Sequence, residues 1–221
     1  MRLLLIRHGQ TPANVRGELD TGVPGPGLTA LGRAQAASVP AALADERIEA
    51  VFASTMVRTQ QTAAPLATAL GLEIGVLDGI HEIEAGDVEM ATDHASYKAY
   101  LTTCLAWGSG DRARMMPGAT DGTAFFERYD ASIAQLNGFG TVAVVSHAAA
   151  MRVWVAGTAT NIEPISVTQQ ELDNTGLIVL EGSPDDGWQL VRWSGEPLGG
   201  EVLADDAAED PTGEGIDEVL R

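Results

Sequence analysis

Cysteine is nearly absent from this chain: Cys104 is the sole thiol among 221 residues. No intrachain disulfide can form, which fits a reducing compartment and sets the expectation of a cytoplasmic protein. Cys104 falls in a predicted helix, where a small buried apolar role is the better reading than a nucleophile. Lysine is equally scarce, with Lys98 alone beside twelve arginines, and 13 basic residues face 31 acidic ones for a net charge of −18. That balance argues against a general nucleic-acid or membrane-surface binder. It admits an anionic small molecule only where the cations are gathered into one cleft. No internal repeat is visible, and no apolar run reaches the roughly 18 residues that a membrane span needs. The first apolar stretch, Leu3–Ile6, is cut off by Arg7 and is too short for the core of a signal peptide. His81 and His94 have no ligand spacing with cysteines or carboxylates, so no metal is expected.

What is present is a large apolar fraction, 45% of the chain, enough for the core of one α/β domain over 1–195. Leu3-Leu4-Leu5-Ile6 predicts a strand buried on both faces. A Gly/Pro-rich loop covers 9–28, and Thr29 caps a helix over 30–44. Ala50–Ala53 predicts a second strand, followed by a helix of 56–70 stopped by Gly71. Glu73–Leu77 is a short third strand. Residues 78–118 are less regular, with a helix over 93–107, and another helix spans 122–137. Thr141–Val145 predicts the strongest strand, with a helix of 148–157 behind it. Two late strands, 175–181 and 188–193, flank the turn 183–187 and predict a hairpin. Strand-helix alternation gives a three-layer α/β/α sandwich with a mostly parallel sheet and an antiparallel addition. From Glu196 to Arg221 there are nine carboxylates and one base. This stretch reads as an acidic, flexible tail, with Val202-Leu203 or Val219-Leu220 as its points of docking.

Three predicted strands end in polar residues of one kind: Arg7-His8, Ser54 with Arg58 one turn on, and Ser146-His147. Parallel strands would put all three ends on the edge where open α/β sheets bind ligands. Arginine is a planar fork of donors that matches phosphate oxygens. A neutral imidazole is nucleophilic near pH 7, and Gly9 lets the backbone approach an anion. The combination points to covalent phosphoryl chemistry on His8. Taken singly, each residue has a plainer reading: Arg7-His8 as a surface turn, Arg58 as an ion-pair partner, His147 as a satisfied core histidine.

Ordered blocks along residues 2–181 resemble the histidine phosphatase superfamily, the phosphoglycerate mutase-like branch. They are Leu5-Ile6-Arg7-His8-Gly9-Gln10-Thr11, then Asn14 and Gly17, Leu28-Thr29 with Gly32 and Gln35-Ala36, Phe52-Ala53-Ser54-Thr55 with Arg58-Thr59 and Thr62-Ala63, and Val145-Ser146-His147 with Arg152. The resemblance implies that His8 attacks phosphorus, that Arg7, Arg58 and His147 hold the phosphoryl oxygens with Asn14 nearby, and that Glu82 protonates the leaving alcohol. His147 is expected as an imidazolium. Glu84, Asp87 and Glu89 are rival carboxylates for the acid role, and Arg152 reads as structural. Neither metal nor organic cofactor is required by this scheme.

Several positions depart from the family pattern. Gln10 stands where glutamate is frequent, and Ala148-Ala149-Ala150 follows His147 where glycine is usual. Asp87-Val88-Glu89-Met90 and Pro117–Gly122 replace familiar motifs on the substrate side. The implied activity is hydrolysis of a phosphomonoester, of a small phosphometabolite in preference to a phosphopeptide. A cofactor-dependent phosphoglycerate mutase and a non-catalytic phosphate binder are the alternatives. The mutase is disfavoured because the variable 78–121 segment carries only Arg112 and Arg114 as arginines. Tyr97, Tyr100, Trp107, Met115 and Met116 are candidates to cap the substrate's organic part or to form that segment's core. A phosphorylated small molecule is the expected partner, without nucleic acid or membrane, and a homodimer is left open.

Overall fold

The apolar tetrad Leu3–Ile6 divides its side chains between two cores, and that division organises the molecule. The computed structural model describes residues 1–205 and 207–214. Its strands are β1 (Arg2–Arg7), β2 (Ala50–Ser54), β3 (Ile74–Leu77), β4 (Thr141–Ser146), β5 (Leu177–Ser183) and β6 (Gly187–Ser194). They form one sheet in the order β3-β2-β4-β1-β5-β6. The pairs among β3, β2, β4 and β1 are parallel, and β5 and β6 add antiparallel.

Leu3 and Leu5 of β1 pack with Val142, Val144, Ile178 and Leu180 on one face. Leu4 and Ile6 pack with Val51, Ala53, Ala143 and Val145 on the other. Period-two alternation on a strand covered on both sides accounts for the unbroken apolar run. Each such buried side chain contributes on the order of 1.5–3 kcal/mol. The helices are α1 (Pro12–Arg16), α2 (Ala30–Ala42), α3 (Val57–Leu70), α4 (His94–Gly108), α5 (Gly122–Ala134), α6 (Ala148–Thr158) and α7 (Pro164–Thr168). Val39 of α2 and Leu66 of α3 cover the smaller core. Leu101 of α4, Phe125 of α5 and Met151 of α6 cover the larger one. This is the expected three-layer sandwich. None of the described helices is long and apolar enough to cross a membrane.

Differences from the sequence reading are local. The loop 9–28 contains α1, capped by Thr11 and Asn14 in a reciprocal box. The short helix α7 has Pro164 in its first turn. The hairpin turn is tighter than expected because the strands run on to Ser183 and from Gly187. Cys104 is buried. Tyr100, Trp107 and Met116 are core residues, each at most 1% exposed, so the capping role falls away for them.

Residues 196–205 and 207–214 lie against the domain. Leu198 is buried in the smaller core, and the Leu203 carbonyl accepts from Gln35 Nε2 at 2.8 Å. Val202 is exposed, whereas Val219 and Leu220 fall outside the described residues.

The β1 end is clamped by α2. A Cβ on Gly32 would sit 2.1 Å from the Gln10 carbonyl oxygen, and one on Gly9 would sit 2.6 Å from the Gly32 carbonyl oxygen. Neither backbone can retreat without moving His8. Gly32→Ala is expected to destabilise the protein by at least about 2 kcal/mol, lowering the melting temperature by roughly 5 °C in a thermal scan.

Candidate active site

Parallel register brings the predicted strand ends together. Arg7 is paired with Ser146 across β1 and β4, and Ala53 with Val145 across β2 and β4. One residue later, the rings of His8 and His147 meet edge to face, 5.2 Å apart. His8 Nδ1 lies 2.8 Å from the Gly9 carbonyl. A carbonyl only accepts, so Nδ1 carries the proton and Nε2 keeps the lone pair. The His8 main chain is fixed from below by Thr175 and Asn174: the Thr175 N–H reaches the Arg7 and His8 carbonyls, and Asn174 Nδ2 reaches the latter at 3.2 Å. Thr175 is buried at φ 64°, a strained setting for a β-branched residue.

A cavity of about 20 Å³ opens beside His8, lined among others by Asn14, Asp20, Arg58, Glu82 and Thr212. Arg58, on the first turn of α3, donates through Nη2 to the Asp20 carbonyl at 3.0 Å. Its Nη1 is 3.9 Å from the Asp20 carboxylate. Arg7 donates through Nη1 to the Leu172 carbonyl at 2.7 Å and through Nη2 to the Asp210 carboxylate. His147 Nε2 contacts Ser54 Oγ at 2.9 Å. Among the described residues, Arg7 Nε, Arg58 Nε and Nη1, His147 Nδ1 and Arg152 Nε are buried without a hydrogen-bond partner. Orphaned buried donors are costly, and all of these belong to this one edge of the sheet.

Glu82 sits against the start of α6. Its Oε1 accepts from the Ile83 and Ala150 N–H groups, each at 2.8 Å, and its Oε2 from Ala149 N–H at 3.3 Å. Those donors and Arg58 favour the anion, yet burial outweighs them and pushes the carboxyl above its ordinary range. The rival carboxylates are elsewhere. Glu84 faces His81, Asp87 is exposed, and Glu89 ties down the Thr21 and Gly22 N–H groups.

Burial, then Arg58 and Arg7, hold the His8 imidazole well below 6.5, its ordinary value. His147 is pushed down in the same way by burial, Arg58 and His8. These effects disfavour the imidazolium expected at His147, whose ring can still contribute a directed N–H. Asn14 lines the cavity, but its Oδ1 is committed to the Thr11 cap, which leaves the amide NH₂ for an anion.

Sequence reasoning did not assign Ser54 as the partner of His147, Thr62 as the acceptor of the Gly9 N–H at 2.9 Å, or Asp20 beside Arg58. It also missed the contact of Arg7 with the acidic tail. Arg152, read as structural, is buried and donates to the carbonyls of Gln170, Thr212 and Gly213. The Asp210-Pro211-Thr212-Gly213 turn signature was the available signal for the tail.

Comparison with known proteins bears on family and fold. The sequence profile of the histidine phosphatase superfamily (branch 1) matches residues 3–195. The PE-PGRS family protein PE_PGRS11 of Mycobacterium tuberculosis is 40% identical over 213 residues, 88% of this chain but 36% of that protein, so the chain spans about a third of that relative. The adenosylcobalamin/alpha-ribazole phosphatase of Escherichia coli is 29% identical over 160 residues, 71% of this chain and 78% of that enzyme. A mycobacterial glucosyl-3-phosphoglycerate phosphatase solved with VO3 shares the fold at TM-score 0.73 and 24% identity, covering 88% of this chain and 99% of that one.

The burial account has a direct check. In NMR titrations, His8 and His147 should stay neutral well below pH 6.5, with His8 as the Nδ1–H tautomer. Protonation midpoints at or above 6.5 refute it.

Proposed function

The chain belongs to the histidine phosphatase superfamily, branch 1, and from that premise we propose that it hydrolyses a phosphomonoester through a phosphoryl group carried on His8. The observation that carries this reading is the set of unpartnered buried donors of Arg7, Arg58 and His147 gathered around a neutral imidazole. An anion with several equatorial oxygens satisfies them together, and stabilisation of the phosphoryl transition state is largely a matter of such positioned donors.

His8 Nε2 supplies the electron pair that forms the P–N bond as the P–O bond to the alcohol breaks. Arg7 and Arg58 bind the non-bridging oxygens, with His147 Nδ1–H and the Asn14 amide as neutral donors. Glu82, held as the acid by burial, gives its proton to the departing oxygen. A water then attacks phosphorus and passes its proton to the Glu82 carboxylate. The P–N bond breaks, and its electron pair returns to His8 as phosphate forms.

Hydrolysis is favoured over mutase chemistry by the fate of Arg112. Its guanidinium stacks 3.6 Å over the Phe126 ring and donates to the Gly157 carbonyl at 3.1 Å. It is thus held in packing and is not available to a second phosphate subsite.

With EDTA present, hydrolysis of p-nitrophenyl phosphate by wild type should proceed, and His8→Ala should lower kcat by at least about 10³-fold. Activity near wild type in that variant sinks the phosphohistidine route. Glu82→Gln should slow alkyl phosphates by roughly 10²-fold or more, and p-nitrophenyl phosphate by less than about tenfold, because nitrophenolate leaves without a proton. Equal losses on both esters move the acid role elsewhere.

The pH profile follows from the two shifts. His8 must be unprotonated, and its lowered value carries activity into the acid range. Glu82 must be protonated, so alkyl phosphate turnover falls as pH rises through its elevated value. A kcat profile on an alkyl phosphate should show that alkaline limb, and the limb should vanish in Glu82→Gln.

A further inference from the structure

The described end of the chain lies inside the site. Asp210-Pro211-Thr212-Gly213 is a turn closed by the Gly213 N–H on the Asp210 carbonyl at 3.1 Å. The Thr212 hydroxyl returns to Asp210 Oδ1 at 3.0 Å. Asp, Pro and Gly occupy the first, second and fourth positions that a type I turn favours, so the loop is stiff before it docks. Arg7 Nη2 donates to the Asp210 carboxylate and, at 3.2 Å, to Thr212 Oγ1. Arg152 donates to the Thr212 carbonyl at 2.7 Å and the Gly213 carbonyl at 3.0 Å. The Leu172 N–H adds a bond to the Gly213 carbonyl at 2.8 Å.

A second anchor sits upstream: Gln10 Nε2 donates to Asp205 Oδ2 at 2.7 Å. The glutamate frequent at this position would set two carboxylates against each other. The amide therefore matches the acidic segment. Thr212 also lines the cavity beside His8, whose volume is about 20 Å³. That is room for roughly one water, far less than a phosphoryl ester occupies.

We infer that the Asp210–Gly213 turn, with Asp205 as its upstream anchor, is an intramolecular ligand of the phosphate site, with the Asp210 carboxylate on Arg7 where a phosphoryl oxygen would bind. The inference rests on the reading of Arg7 as a phosphate ligand. Phosphate and Asp210 compete for one Arg7 face, so the apparent affinity for a phosphorylated ligand is the intrinsic affinity scaled by the fraction of molecules with the turn displaced. The tail then sets the working affinity of the site, and a partner that draws it away would raise that affinity.

The test is the binding of inorganic phosphate to the full chain by calorimetry, which does not depend on turnover, beside the KM for p-nitrophenyl phosphate. Asp210→Asn should tighten phosphate binding by about tenfold and lower KM with a smaller change in kcat. Gln10→Glu, which leaves Asp210 in place, should shift both in the same direction, and Asp210→Glu should restore wild-type values.

Unchanged phosphate affinity in Asp210→Asn, with His8-dependent turnover intact, overturns the inference and leaves the phosphatase reading standing. A raised KM also overturns it, and assigns the turn to the substrate site. Tighter phosphate binding in a protein that hydrolyses nothing upholds the inference and removes the enzymatic reading. No phosphate binding to any of these proteins overturns both.

Discussion

Guanidinium groups buried without full compensation are the constraint around which this molecule is arranged. Arg7, Arg58 and Arg152 are each at most 3% exposed. Desolvation lowers Arg58 and brings Arg152 down to about 10. A buried cation is tolerated where carbonyls, carboxylates or a bound anion complete its donors. Here the carbonyls of Asp20, Leu172 and Gln170 satisfy part of each fork, Asp210, Thr212 and Gly213 complete more of Arg7 and Arg152, and Arg58 keeps Nε and Nη1 without a hydrogen-bond partner. Burial, with Arg58 and Arg7 at His8 and Arg58 and His8 at His147, lowers both imidazoles. One electrostatic feature therefore creates the anion site and preserves the nucleophile's lone pair.

This positive focus exists inside a chain of net charge −18. The surrounding field opposes approach of an anion, and the local field at the end of β1 reverses it over a short distance. Asp20 sits at that boundary, beside Arg58 and half-buried, its carboxyl pushed up chiefly by burial. The mouth of the site thus carries negative charge while its floor carries positive charge.

Much of this was legible in the chain. The unbroken run Leu3–Ile6 required a strand covered on both faces, and parallel pairing then forced Arg7, Ser54 and Ser146 onto one edge. Glu82 was harder, because neighbouring carboxylates share its composition. What separates it is the contact with the α6 N–H groups, a tertiary fact that no local pattern encodes. The neutral state of His147 depends on total burial, which spacing does not reveal. The tail was least legible: its acidic, Gly/Pro-rich composition reads as solvated, and its place comes from tertiary contacts such as Asp210 with Arg7, Asp205 with Gln10 and Leu198 in the smaller core. Arg152 follows from this, since its role is defined by the segment it holds.

Helix α6 links two of these features. Its first turn supplies the N–H groups of Ala149 and Ala150 to Glu82, and Arg152, in the next turn, grips Thr212 and Gly213. One helix thus touches the proton donor at one point and the Asp210–Gly213 turn at another, and any free energy it carries between them is reciprocal. Whatever factor a proton on Glu82 applies to the docking of the C-terminal turn, docking must apply to the proton in return.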